Sequence, residues 1–251
     1  MATLLLVSRP LLLTLALCAL FLAACGSDGA EENPPEEAEA PAEQTSAPAG
    51  DCKQVEAPKP GKEGNERKPM SNLDPDKTYE VKVETSCGAF TIRLDQKIAP
   101  NTAASFAALA KKGFYDGTIF HRIVPGFVIQ GGDPTGTGSG GPGYSVVDRP
   151  PENATYTRGV VAMAKTGNEP PGTAGSQFYV VTGADAGLPP DYSVVGKVTA
   201  GMDTVERIGK LGDPNSGEAG TPTQPVVIEH ATVSEFKSPA KPKKKKRRRG
   251  R

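Results

Sequence analysis

Two short runs hold most of the residue types that could do chemistry. The first is Phe120-His121-Arg122-Ile123-Val124-Pro125-Gly126-Phe127-Val128-Ile129-Gln130-Gly131-Gly132-Asp133. The second is Gly175-Ser176-Gln177-Phe178-Tyr179, preceded by Val161-Ala162-Met163-Ala164. Arg122 is a permanently charged guanidinium among apolar neighbours. Alone, it reads as a solvated surface cation. Beside an apolar slot it becomes a donor whose hydrogen bond strengthens as local polarity falls. No spacing in the chain suits a nucleophile–base–acid triad. With His121 and His230 as the only imidazoles, no metal-ligand set is expected either. Gly136-Thr137-Gly138-Ser139-Gly140-Gly141 satisfies G-x-G-x-x-G, but it lacks the strand, helix and acidic residue of a dinucleotide site. It reads as a loop. Asn153-Ala154-Thr155 is a formal glycosylation acceptor.

The flanking periodicities say what positions these runs. Residues 79–84 and 89–94 alternate apolar with polar around Ser86-Cys87-Gly88, which predicts a hairpin. From Pro100 to Lys112 the period changes, and Ala103, Phe106, Ala107 and Ala110 share one helical face. Proline suits the first turn and Gly113 the stop. Short apolar runs at 119–123, 127–130, 160–164, 178–182 and 194–198 are separated by Gly/Pro-rich loops. A short helix is expected at 202–208 and a last strand at 226–233. Seven or eight strands with two helices predict a mainly β fold. The expected form is an eight-stranded antiparallel barrel capped by the two helices.

The 251 residues carry 29 basic and 29 acidic side chains, but the charge is segregated. Residues 28–51 hold eight acids and no Lys or Arg, whereas 237–251 hold ten Lys or Arg and no acid. The intervening stretch is slightly acidic, which excludes a uniformly basic nucleic-acid binder. Only one long apolar run exists, so a multi-span membrane protein is excluded too. That run, Leu11–Ala24, is too short to span a bilayer and fits the centre of a signal peptide. Its end, Leu22-Ala23-Ala24-Cys25-Gly26, resembles a bacterial lipobox, which implies cleavage before Cys25 and lipidation there. The expected divisions are 1–24 signal peptide, 25–76 disordered Pro/Glu-rich tether, 77–236 folded domain and 237–251 disordered basic tail. Cys52 and Cys87 remain after export, either as a disulfide or as two free thiols. The tail suits anionic lipid head groups, cell-wall polymers or the acidic 28–51 segment, unless it only solubilises.

Together the two runs resemble the cyclophilins, the cyclosporin-binding class of peptidyl-prolyl isomerases. Tyr115-Asp116-Gly117-Thr118 and Val195-Gly196-Lys197-Val198 extend the resemblance over about 160 residues in the family's order. The resemblance implies a site on the outer face of the barrel, a monomer and proline-containing polypeptides as partners. Arg122 matches the catalytic arginine. Phe127 and Val128 match the proline pocket, with Val where Met is common. Tyr179 matches a wall that is usually Phe, and Leu188 an apolar rim. Gln130 and Gln177 match residues that bind substrate backbone and hold the arginine. Ala164 lies where the residue before proline docks. Lys165 stands in place of a frequent Asn, Gly187 in place of the Trp of drug-sensitive members, and Tyr192 near their pocket His. Cyclosporin affinity is thereby put in doubt.

The chemistry then follows from the bond itself. An X–Pro amide isomerises slowly because its partial double bond must be broken. In the twisted state the prolyl nitrogen regains a lone pair. A donor beside that nitrogen favours the twisted state over both planar ones, and that difference is catalysis. No nucleophile, metal or cofactor is required. The expected role is isomerisation during folding of exported proteins, outside the cytoplasm and at the bacterial membrane. The rival is a cyclophilin-fold chaperone or scaffold that binds proline segments with little turnover.

Overall fold

The computed structural model describes residues 51–238. The segment expected to be a signal peptide, Cys25, the acidic stretch to residue 50 and the tail from 239 lie outside the described residues. Ten strands form: β1 (Lys77–Thr85), β2 (Gly88–Leu94), β3 (Arg122–Val124), β4 (Val128–Gly131), β5 (Val146–Val147), β6 (Val160–Met163), β7 (Thr173–Ala174), β8 (Phe178–Val181), β9 (Val194–Ala200) and β10 (Ile228–Lys237). Two α-helices, α1 (Pro100–Lys111) and α2 (Met202–Gly209), and a 3-10 segment, Pro214–Ala219, complete the elements. Eight strands make one antiparallel sheet in the order β10-β1-β2-β9-β6-β8-β4-β3. The remaining pair, β5–β7, had no sequence signal, because a two-residue ladder is too short to show a period.

The sheet curls until its two ends meet. Just before β3, Phe120 N–H donates to Val226 O at 3.0 Å, Ile228 N–H donates to Thr118 O at 2.8 Å, and Ile119 bridges Val227. β1 runs its whole length against β10, with Tyr79 opposite Glu235 and Val83 opposite Ala231. β10 thus reaches Lys237, the first residue assigned from sequence to the basic tail. Inside, Val81, Val83, Phe90, Ile92, Ile123, Ile129, Val161, Val180 and Val195 are all almost fully buried. α1 lays Ala103, Phe106, Ala107 and Ala110 on this core, and α2 adds Val205 and Ile208. Pro100 occupies the first turn of α1, where a missing N–H costs nothing. Phe178 makes edge-on contacts with Phe106, Tyr115 and Phe120 at centroid distances of 5.3, 5.7 and 6.1 Å.

Residues 51–76 correct the sequence reading. They form no helix or strand, yet they lie along the domain as an extended strap. Cys52 is bonded to Cys87 in the β1–β2 turn. Lys53 N–H donates to Ser86 O at 2.8 Å, Gly61 N–H to Pro134 O at 3.0 Å, Gly64 N–H to Gly141 O at 2.9 Å and Glu66 N–H to Pro142 O at 2.8 Å. Lys53 pairs with Glu229 at 3.3 Å, Glu66 with Lys112 at 2.5 Å, and Leu73 packs on the core. Low apolar content bears only on how much apolar surface the segment can bury. Main-chain hydrogen bonds, which leave no mark in composition, hold this one instead, together with the disulfide that Cys52 and Cys87 offered as one of two alternatives.

The aromatic centre yields a stability test. Phe178→Ala should cost about 3–5 kcal/mol, the usual loss for an emptied aromatic site. Urea unfolding should show the midpoint falling with an unchanged slope. A loss below about 1 kcal/mol would mean that the neighbouring rings close the cavity.

Candidate active site

Strands β4, β6 and β8 build the candidate site because each buries both faces. Ile129, Val161, Met163, Phe178 and Val180 point into the barrel. Their alternates Val128, Val160, Ala162, Tyr179 and Val181 form a second apolar cluster outside it, with Tyr156. Phe127, Ala164, Leu188 and Tyr192 pack on this cluster while staying partly open to solvent. Thus six of the expected pocket residues converge on one outer surface: Phe127, Val128, Ala164, Leu188, Tyr179 and Tyr192.

A polar chain borders this surface. β3 sets Arg122 opposite Gln130 of β4. The Arg122 guanidinium donates through Nη1 to Gln130 Oε1 at 3.3 Å and through Nε to Glu218 O at 2.9 Å. Its central carbon stands 5.8 Å from the Phe127 ring centroid, within range of a cation–π attraction. Gln130 Nε2 donates to Gln177 Oε1 at 3.1 Å. Gln177 Nε2 in turn donates to Gly138 O at 3.0 Å and Gly140 O at 2.9 Å. Both amides are therefore oriented, since a flip of either would set donor against donor. Arg122, Gln130 and Gln177 form one chain ending on two loop carbonyls.

Lys165 is placed at the slot's other side. Its ammonium donates to Thr166 O at 3.2 Å and Glu169 O at 3.1 Å, and lies 5.6 Å from the Tyr192 ring centroid. Among the described residues it has no carboxylate partner. Gly187 has a φ of 62° and open space around it, so nothing covers the rim there.

Several groups have no clear sequence signal. Tyr156 sits in a Pro-rich loop without period, yet its hydroxyl accepts from Tyr192 N–H at 2.9 Å and donates to Tyr192 O at 2.7 Å. Tyr156, Tyr179 and Tyr192 pack at centroid distances of 5.7–6.4 Å, two of the three contacts edge-on. Burial pushes the Tyr179 phenol far above its usual value, so it stays protonated. The carbonyls of Glu218, Gly138 and Gly140 are main-chain groups whose positions no residue type encodes. The 3-10 segment that carries Glu218 was also missed. The loop reading of 136–141 agrees with the structure. Asp133 anchors that loop, its carboxylate accepting from the N–H groups of Thr135, Gly138 and Gly140. Those hydrogen bonds hold it below the usual carboxylate range, against its burial.

The chain matches the family described as "Cyclophilin type peptidyl-prolyl cis-trans isomerase/CLD" over residues 80–233. It is 38% identical over 162 residues to a peptidyl-prolyl cis-trans isomerase-like 1 of Gibberella zeae, covering 63% of this chain and 96% of that protein. A spliceosome-associated protein CWC27 homolog of Xenopus laevis is 40% identical over 173 residues, 65% of this chain but 35% of the longer protein. A cyclophilin type peptidyl-prolyl cis-trans isomerase of Cryptosporidium parvum, solved by crystallography, superposes with a TM-score of 0.57 at 31% identity. That match covers 62% of this chain and 98% of the other. These relatives are eukaryotic.

His121 adjoins Arg122 and has both ring nitrogens buried without partners. Burial lowers its pKa from the usual 6.5; Asp133 opposes this and Arg122 adds to it. The folded state therefore favours neutral imidazole. The stability this contributes is complete above pH 6.5 and is lost as pH falls below it toward the lower folded value. Asp133, also lowered, adds a loss of the same sign near its own range, below about 4. Melting temperature between about pH 8 and 5 should decline for the wild type and stay flatter for His121→Phe. Parallel declines would place the titration elsewhere.

Proposed function

We propose, since this chain belongs to the cyclophilin-type peptidyl-prolyl cis-trans isomerase family and is an isomerase of that class, that its outer slot turns X–Pro bonds in exported proteins at the outer side of a bacterial membrane. The observation that carries the catalytic half is the Arg122 guanidinium, fixed at two points beside the Phe127 ring. A proline seated against Phe127, Val128, Tyr179 and Leu188 would bring its nitrogen to this cation. Gln130 and Gln177 are aligned to meet the flanking peptide groups. The donor is in place before the bond twists, so no reorganisation is needed at the moment of rotation. Each factor of ten in rate needs about 1.4 kcal/mol of preference for the twisted state. One charge-assisted hydrogen bond in a poorly hydrated slot is of that order.

The location rests on the N-terminal sequence, with its apolar run ending at Ala24-Cys25. The Cys52–Cys87 bond supports it, because such bonds persist in oxidising compartments. Among the described residues no helix is long and apolar enough to cross a membrane. The attachment we propose is lipid on Cys25, at the end of the N-terminal apolar run. The basic tail would then reach anionic head groups or wall polymers.

Two measurements test the two halves. Arg122→Ala in the full chain should lower kcat/KM for X–Pro peptides by about a hundredfold, the scale for losing one oriented transition-state donor. Loss of turnover with client refolding still assisted would favour the holding role. For the location, Cys25→Ser should abolish metabolic labelling by palmitate and move the protein from membrane to soluble fractions. Unchanged fractionation would remove the anchor.

A further inference from the structure

We propose that the strap formed by residues 52–66 is a positioning element for Arg122, and that the Cys52–Cys87 bond makes turnover sensitive to dithiols. The proposal rests on the isomerase reading of the slot. The strap precedes the family-matched segment 80–233, so it is an addition to the shared domain.

The coupling runs through the loop between Asp133 and Pro142. On its inner side the Asp133 carboxylate gathers the N–H groups of Thr135, Gly138 and Gly140. On its outer side the strap grips both ends, with Gly61 on the carbonyl of Pro134, Gly64 on that of Gly141 and Glu66 on that of Pro142. Between those grips lie the carbonyls of Gly138 and Gly140, which orient Gln177. Gln177 orients Gln130, and Gln130 holds one arm of Arg122. An unbroken run of hydrogen bonds therefore links the strap's contact loop to the proposed catalytic cation.

Strap and loop approach too closely for side chains. A Cβ on Gly61 would stand 2.5 Å from Pro134 O, and one on Gly64 2.8 Å from Gly141 O and 2.9 Å from the Phe114 ring. Glycine is required for contact here, not for a turn. The covalent end is equally well placed. Cys87 is 3% exposed, its N–H donates to Thr85 Oγ1 at 3.0 Å, and its carbonyl accepts from Arg207 at 2.6 Å. The bond therefore fastens the strap to a fixed turn, 35 residues away in sequence. Without it, the strap keeps a few main-chain bonds, the exposed Gln54–Gln224 side-chain hydrogen bond and exposed ion pairs, which open readily. Reduction by a dithiol breaks the sulfur–sulfur bond. Two electrons and two protons pass to Cys52 and Cys87, and the dithiol closes to its own disulfide. Arg122 keeps its second anchor at Glu218, so release should weaken catalysis rather than end it.

The test uses the oxidised full chain, Cys52→Ser/Cys87→Ser and Gly64→Val, assayed on an X–Pro peptide well below their melting temperatures. The side-chain amide signals of Gln130 and Gln177 are followed by NMR. The expected result is a fall of about three- to tenfold in kcat/KM, carried by kcat as a loss of orientation should be, with shifted amide signals in both variants. A dithiol should reproduce it in the wild type and add nothing to the cysteine variant. Unchanged kcat/KM and unmoved amides, with only the melting temperature lowered, would overturn the proposal and leave the strap as a cover. If no form turns over, the isomerase reading fails separately. The amide signals then decide the coupling, and unmoved ones overturn it.

Discussion

Strands β6 and β8 have no solvent face and β4 leaves only Gln130 partly open, and the rest of the molecule is arranged around that constraint. A sheet with one wet side alternates apolar and polar residues. β6 and β8 instead bury every residue, one alternate in the barrel and the other beneath the slot. The slot floor is therefore as rigid as the core. Ile129 cannot shift in the barrel without moving Val128 and Gln130 outside it. The price is that the sheet needs covering on its outer side, which Tyr156, Tyr192 and the loops around Leu188 supply.

At the edge of that double-sided patch the chemistry becomes polar, and hydrogen-bond direction governs. A guanidinium donates and never accepts. Gln130 must therefore offer its oxygen to Arg122, its nitrogen to Gln177, and Gln177 its nitrogen to carbonyls. The series stays consistent only because it ends on main-chain acceptors. Those acceptors lie in a glycine-rich loop, where carbonyls can turn outward without side chains intervening. The loop needs its own support for the same reason. Asp133 holds it from within and the strap from without.

Legibility followed the length scale of each interaction. The hairpin and α1 were readable because each repeats a period over several residues, and the remaining main strands because they are short apolar runs between Gly/Pro-rich loops. The slot residues Phe127, Val128, Gln130, Gln177 and Tyr179 sit in two recognisable runs, so their convergence followed from the family resemblance. Nothing local distinguishes Tyr156 from any loop tyrosine, and its role depends on residue 192 in another loop. β5 and β7 pair across 25 residues with two positions each. Segment 51–76 misled for the opposite reason. Its composition carried a clear signal, low apolar content, which bears on core formation and not on whether backbone donors find partners.

The departures from the common family pattern can be read together. Tyr179 and Tyr192 both differ from the usual residues, and they meet each other and Tyr156. The extra hydroxyl at position 179 is buried within the wall without a hydrogen-bond partner, a placement that costs stability and is offset only by the packing of its ring. Tyr192 brings a ring near the position that the resemblance gives to a histidine in drug-sensitive members, and Tyr156 fixes it by bonding both its N–H and its C=O. Lys165 then settles over the face of that ring, with two carbonyls completing its shell. The result is a wall whose shape is set by aromatic packing and whose rim carries a cation without a carboxylate partner among the described residues. A positive rim beside the position we propose for the residue before proline should act on substrate choice more than on the rotation, because its field meets planar and twisted peptide alike.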